Sequence, residues 1–252
     1  MLKRGQITIF IIVGLLVVGL IVGFILFRKD LLPTSTGGNP QDPKDYIDSC
    51  IKPKIKEAAD ILISQGGYIK PVLNITIDGQ HIAYLCYTSN YYNSCINQNP
   101  MLITSLKNEI KSYIKKDLDD CFTNLQTELQ NKGYNVALSE GDFDVELAPR
   151  RVVLNINRQL TITKSGGTER FENFKAVLSH PIYDLGIVAQ EITSQEAQYC
   201  NFESVGFMLL YSDFNIKRFK TGSLSTIYTI THKPTGKQFK FAVRGCVIPP
   251  GF

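Results

Sequence analysis

The chain has 252 residues, 44% of them hydrophobic and 20% charged, with a formal net charge of +4. Lys3, Arg4, Arg28 and Lys29 flank one uncharged stretch; without these four and Asp30, the 27 basic and 23 acidic side chains fall to 23 and 22. A body so close to neutral has no basic field to attract nucleic acid, which excludes that class of partner, while the length suits one large domain or two small ones.

Residues 1–6 form a short basic N-terminus. Residues 7–27 are 21 positions without a charge. As a helix this run is about 31 Å long, the thickness of a bilayer's hydrocarbon core. A soluble helix of that length would show a polar face. A cleavable secretory signal would have an apolar stretch of about 7–15 residues and a small-residue cleavage site. The sequence therefore predicts a single transmembrane helix over residues 7–27, retained as a signal anchor, with the lipid bilayer as its partner. Gly19 and Gly23 form a Gly-x-x-x-Gly pair, a spacing that lets two membrane helices approach and self-associate.

The basic residues on the two sides of the helix balance, so they do not set its orientation. The cysteines do. Cys50, Cys86, Cys95, Cys121, Cys200 and Cys246 all follow the apolar segment. An even count fits an oxidising compartment and up to three disulfides. The expected localisation is the cell membrane, single-pass, with the C-terminal domain outside the cytoplasm.

Residues 28–43 read as a stalk, because Pro33, Gly37, Gly38, Pro40 and Pro43 stand among Ser and Thr. An extracytoplasmic domain is expected over residues 44–252. Ile47, Cys50, Ile51, Ile55, Ala58 and Leu62 follow helical spacing. Pro53 predicts a kink in that helix, and Gly66-Gly67 its end. Residues 72–77 and 81–87 read as a hairpin around Asp78-Gly79. A long helix follows, with Leu102, Leu106, Ile110, Ile114, Leu118, Leu125 and Leu129 on one side and Lys107, Lys111 and Lys115 on a solvated face; Lys132-Gly133 closes it. Strands are expected at 134–139, 142–147 and 152–163, the last turned by Gly166-Gly167. Asp142, Asp144 and Glu146 alternate with apolar residues as the wet face of an edge strand. Residues 181–199 read as a helix. Residues 214–246 read as β structure, with 224–231 and 238–244 pairing around Pro234-Thr235-Gly236. The fold class is α+β, helices packed on antiparallel β-sheet.

His81, His180 and His232 are far apart, and Cys86 and Cys95 are too widely spaced for a zinc knuckle. The sequence predicts no metal and no cofactor, and no phosphate-binding or nucleophile-elbow motif marks catalytic residues. One segment stands out: Cys86-Tyr87-Thr88-Ser89-Asn90-Tyr91-Tyr92-Asn93-Ser94-Cys95. Tyr, Asn and Ser are the residues of antibody loops, where Tyr gives contact area at low entropy cost and Asn and Ser adapt their hydrogen bonds. A Cys86–Cys95 bridge would hold such a loop ready, with Tyr87, Tyr91 and Tyr92 as a contact surface for an extracellular protein or surface partner. The competing reading packs the tyrosines on the domain. Cys50 lies beside Ile47 and Ile51, and Cys121 beside Leu118 and Leu125, on helix faces that should pack together, so a Cys50–Cys121 bridge is expected. Cys200–Cys246 then follows by elimination.

Lys3-Arg4-Gly5-Gln6-Ile7-Thr8-Ile9-Phe10, running into an apolar helix, resembles an archaeal class III signal, the type IV pilin-like N-terminus. The resemblance implies cleavage between Gly5 and Gln6 and a helix that can pack into a filament core. Many pilins carry Glu at the fifth mature position, where this chain has Phe10. Asp45-Tyr46-Ile47-Asp48-Ser49-Cys50 and Gln65-Gly66-Gly67-Tyr68-Ile69 resemble uncharacterised membrane-anchored proteins of small-genome (DPANN-type) archaea. Those proteins begin with an Arg-Gly-Gln signal and carry a second cysteine late in the following helix, as Cys121 does here; the resemblance implies topology and not activity. The leading expectation is a non-enzymatic, membrane-anchored protein that binds a partner outside the cell. A pilin-like filament subunit is the second reading and an anchored hydrolase the third.

Overall fold

In the computed structural model, residues 42–249 are described, together with the helical positions Gly14 and Val17. Apart from those two positions, the predicted membrane helix lies outside the described residues, as do its Gly19–Gly23 pair, the Gly5 cleavage position and most of the stalk. No helix among the described residues is long and apolar enough to cross a membrane. The chain divides into two compact units, residues 1–36 and 37–252. The second has its own core and three internal disulfides, and so the attributes of a domain that folds alone.

Helix α1, Pro43–Ser64, starts where Asp42 accepts a hydrogen bond from the Lys44 backbone N–H at 2.9 Å and Pro43 occupies the first turn. It buries Ile47, Ile51, Ile55, Ala58, Ala59 and Leu62 and continues through Pro53 as one element. It stops where expected: Gly66 and Gly67 take φ of 75° and 93°, and the Gly67 N–H bonds back to the Leu62 carbonyl at 2.8 Å. Strands β1, Asn74–Ile77, and β2, Gln80–Tyr87, form the Asp78-Gly79 hairpin, and β3, Ile96–Asn97, returns along β2. Helix α2, Leu102–Asn131, turns Leu106, Ile110, Ile114, Leu118, Phe122 and Leu125 to the core. Its face meets that of α1, and Cys50 and Cys121 bridge the two at a Cα separation of 6.1 Å.

Next come β4, Asn135–Leu138; β5, Asp142–Ala148; β6, Arg151–Asn157; β7, Leu160–Lys164; β8, Gly167–Phe171; and β9, Phe174–Ser179. These form two small antiparallel sheets, β5-β6-β9 and β4-β7-β8. The single strand expected over 152–163 is therefore two, in different sheets. The alternation misled because it keeps its parity through the corner: Leu154, Ile156, Leu160 and Ile162 are all buried. Arg158 makes the corner, its guanidinium 2.7 Å from Asp119 and over the Phe122 ring of α2. Strand β5 is an edge, with Asp142, Asp144 and Glu146 exposed. Lys111 and Lys107 reach across to Asp142 and Asp144 at 3.3 and 3.8 Å. Part of the predicted lysine face thus answers the acidic face, and solvent screening leaves such exposed pairs little weight in stability.

The chain closes with α3, Ile182–Tyr199; α4, Ser204–Leu210; β10, Phe214–Lys220; β11, Thr226–His232; and β12, Lys237–Arg244. The main sheet runs β1-β2-β12-β11-β10, and β12 lies parallel to β2. This corrects the expected antiparallel sheet: the architecture is α+β with mixed sheet. Pairing between strands more than 150 residues apart leaves no local signal, since one alternating pattern serves either direction. The core lies between this sheet, the three longer helices and the β5-β6-β9 sheet, with Phe122 edge-on to Phe174 at 5.1 Å and Tyr228 stacked on Phe241 at 5.3 Å. The disulfides are Cys50–Cys121, Cys86–Cys95 and Cys200–Cys246, in keeping with an extracellular or secreted domain.

Candidate functional site

The parallel pair β2–β12 ends at one place, and the tyrosine segment leaves from there. Tyr87 closes β2 and pairs with Ile96 of β3, while Cys86 pairs with Asn97. Cys86 and Cys95, both buried, join the two sides of the loop at a Cα separation of 5.3 Å. The loop's polar composition gives it little core of its own, so its backbone is held from outside. The Thr88 N–H donates to the Arg244 carbonyl at 2.9 Å, the Tyr92 N–H to the Val247 carbonyl at 3.0 Å, and the Cys246 N–H to the Asn93 carbonyl at 2.6 Å. The Arg244 guanidinium donates to the Thr88 carbonyl. Residues 244–247 thus act as a brace, and Cys200–Cys246 ties that brace to the end of α3.

The three tyrosines divide. Tyr87 is half-buried, its ring edge-on to Tyr84 at 5.0 Å and 5.9 Å from the Arg244 guanidinium. Tyr91 and Tyr92 stand in solvent, 44% and 63% exposed. Arg244 also lies 5.7 Å from the Tyr91 ring, so one cation spans a packed tyrosine and an open one. Tyr92 holds a φ of 61°, a left-handed conformation that costs a residue with a side chain about 1–2 kcal/mol. The disulfide and the brace impose it.

Arg244, Gly245 and Val247 went unread in the sequence, where only Cys246 drew notice, and that by elimination. The available signal was Gly245 beside Cys246 at a strand end. A Cβ on Gly245 would lie 2.9 Å from both Cβ and N of Cys95. Only glycine lets the brace pass that close to the loop's disulfide. Gly245→Ala should therefore cost about 1–3 kcal/mol through overpacking and loosen the loop. Amide exchange at Tyr92 and Cys246 should accelerate while the α2 amides keep their protection; unchanged loop exchange would show that the brace is not under this constraint.

A cleft of about 690 Å³ opens beside the brace, lined among others by Glu196, Arg218, Lys220, Tyr228 and the Cys200–Cys246 bridge. Two of its ionisable groups, Tyr228 and Glu196, are paired with each other, and Arg218 is held by neutral groups. The Tyr228 hydroxyl donates to the Glu196 carboxylate; burial pushes the phenol well above its ordinary value, and Glu196 adds to the shift. Arg218 donates to the Asn201 side chain at 3.1 Å and to the Phe202 carbonyl at 3.3 Å. These contacts join α3 to β11 through Tyr228, the segment after α3 to β10 through Arg218, and the end of α3 to the brace through the disulfide. The three histidines occupy separate places: His81 bonds Thr76, His232 bonds Thr235, and His180 bonds Asp60. Among the described residues no group of three or more His, Cys, Asp or Glu is placed to hold a metal. Comparison of the chain with protein-family models, curated proteins and solved structures finds no match.

Proposed function

We propose that the chain is a membrane-anchored, non-enzymatic protein that binds a partner outside the cytoplasm through its tyrosine loop. The observation that carries this reading is the exposure of Tyr91 and Tyr92 on a loop fixed at both ends by a disulfide and along its length by residues 244–247. A loop ordered before association avoids most of the ordering cost of binding. Tyrosines are enriched among the residues that dominate binding energy. Neither ring contributes to the core, so both are free to meet a partner. The uncharged 7–27 segment supplies the anchor, and the class III-like signal before it supports its retention.

The test uses the domain from residue 37 onward, added to intact cells and read by flow cytometry. Replacing both Tyr91 and Tyr92 by Ala should weaken cell-surface binding by about tenfold or more, with the melting temperature shifted by no more than about 2 °C. Lost stability with retained binding would sink the proposal. For the full chain, alkaline washing should leave the protein in the membrane pellet; recovery in the supernatant would remove the anchor.

A further inference from the structure

A second surface points to where the domain rests. Residues 205–211, Val-Gly-Phe-Met-Leu-Leu-Tyr, contain no charged side chain. In a soluble chain such a run would be core, yet Leu209 and Leu210 are 80% and 81% exposed, with Val205 and Tyr211 also open. The helix that carries them is firmly held. Glu203 caps α4 by accepting from the Val205 and Gly206 N–H groups at 2.9 and 3.2 Å. Inward, Phe207 packs on Phe202, and the Met208 sulfur accepts from the Ile216 N–H of β10 at 3.1 Å. Val205 and Leu209, four residues apart, make one outward ridge with Leu210 beside it. Strand β10 is the free edge of the main sheet, with Lys217, Arg218, Phe219 and Lys220 exposed. Between residues 205 and 220 one acid, Asp213, stands against three bases. Apolar side chains beside an excess of bases form the pattern that lies in a membrane interface, with the apolar part at the headgroup–acyl boundary and the cations among phosphates.

We infer that α4 and the β10 edge dock on the lipid bilayer surface, Val205, Leu209 and Leu210 entering the interface and Lys217 and Lys220 meeting anionic headgroups. The inference rests on the anchor reading, which says what covers the face. The 14 positions between residues 27 and 42 have a contour length of up to about 50 Å. A tether also holds the domain at high effective concentration near the bilayer, so a contact too weak to recruit a free protein is occupied. In the sheet, β10 lies three strands from β2, about 14 Å away at the usual spacing. Residues 245–247, which hold the tyrosine loop, line one cleft with Arg218 and Lys220, so the docked edge and the loop lie at the same end of the sheet.

The domain from residue 37 onward is sedimented with vesicles of phosphatidylcholine alone or with phosphatidylglycerol added to charge the surface. It should pellet with the anionic vesicles, and Leu209→Asp with Leu210→Asp should reduce pelleting about fivefold or more at unchanged melting temperature. Lys217→Glu with Lys220→Glu should abolish the preference for anionic vesicles. No pelleting of the unaltered domain with either vesicle overturns the inference, as does equal pelleting of the double aspartate variant. A dimer that the aspartates dissolve would also overturn it, by assigning the face to a second copy. Alkaline extraction of the full chain tests the anchor separately, so the two failures are distinguishable.

Discussion

Alanine at both Cys50 and Cys121 should lower the domain's melting temperature by about 8–16 °C. The two cysteines are 71 residues apart in sequence, and cross-linking a loop of that length removes enough unfolded-state entropy to stabilise by about 4 kcal/mol in the chain-entropy model. For a domain of this size each kcal/mol moves the midpoint by roughly 2–4 °C. The bridge joins the two helices that carry much of the core, with Cys121 buried and Ile47, Ile51, Leu118 and Leu125 around it. The same model gives the Cys86–Cys95 loop less, about 2–3 kcal/mol, because its separation is only 9 residues. Scanning calorimetry of the Cys50/Cys121 variant decides the point: a fall below about 2 °C would mean that the unfolded chain is not being constrained.

Asp60→Asn should lower the midpoint by roughly 5–10 °C at neutral pH and change how stability depends on acid. Asp60 accepts from Lys237 at 2.5 Å, from His180 at 3.0 Å and from Lys56 at 3.0 Å, so one carboxylate joins α1, β12 and the turn into α3. Burial alone would raise its pKa. The donors Lys237, His180 and Lys56 outweigh that and hold the carboxyl well below the usual carboxylate range. A carboxyl depressed by folding contributes stability above its unfolded value, near 3.9, and loses it as pH falls further. His180 adds an earlier step. It is buried, and its Nδ1 accepts from the Ile182 N–H at 3.2 Å, so the neutral ring carries its proton on Nε2 toward Asp60. Burial lowers its pKa despite the carboxylate, and its contribution is present above about 6.5 and lost below. Melts across pH 3–8 should show stability declining below about 6.5 and more steeply below 4. In the Asn variant the lower step should flatten; an identical acid profile would show that Asp60 is not the group responsible.

The elements legible in the sequence were those whose pattern is local. Both long helices declared themselves by apolar spacing and ended at Gly66-Gly67 and Lys132-Gly133; the Asp78-Gly79 hairpin was visible for the same reason. The mixed sheet was not, because nothing near β2 names β12 as its neighbour. The corner at Arg158 was hidden by an alternation that continues across it. Helix α4 was missed because its run is apolar on the inward and the outward side alike, which leaves no two-sided pattern. Strands β8 and β9 were missed too: β8 is exposed almost throughout and offers no apolar alternation to read. Of the candidate site, composition and two cysteines identified the loop. Its brace was unreadable, since residues 244–247 act through backbone groups that any sequence carries.

The side-by-side placement of β2 and β12 also sets an order in time. A chain made from its N-terminus presents Tyr91 and Tyr92 long before Arg244, Gly245 and Val247 exist to hold them. The Cys86–Cys95 link needs only nine intervening steps of chain and is available early, but the carbonyls that receive the Thr88 and Tyr92 amides come some 155 residues later. Until then β2 has a bare edge where β12 will lie, the kind of edge that recruits a wrong strand. The tyrosine loop is thus among the last parts of the domain to acquire its final shape, and a chain halted before residue 244 would carry the tyrosines without the means to aim them.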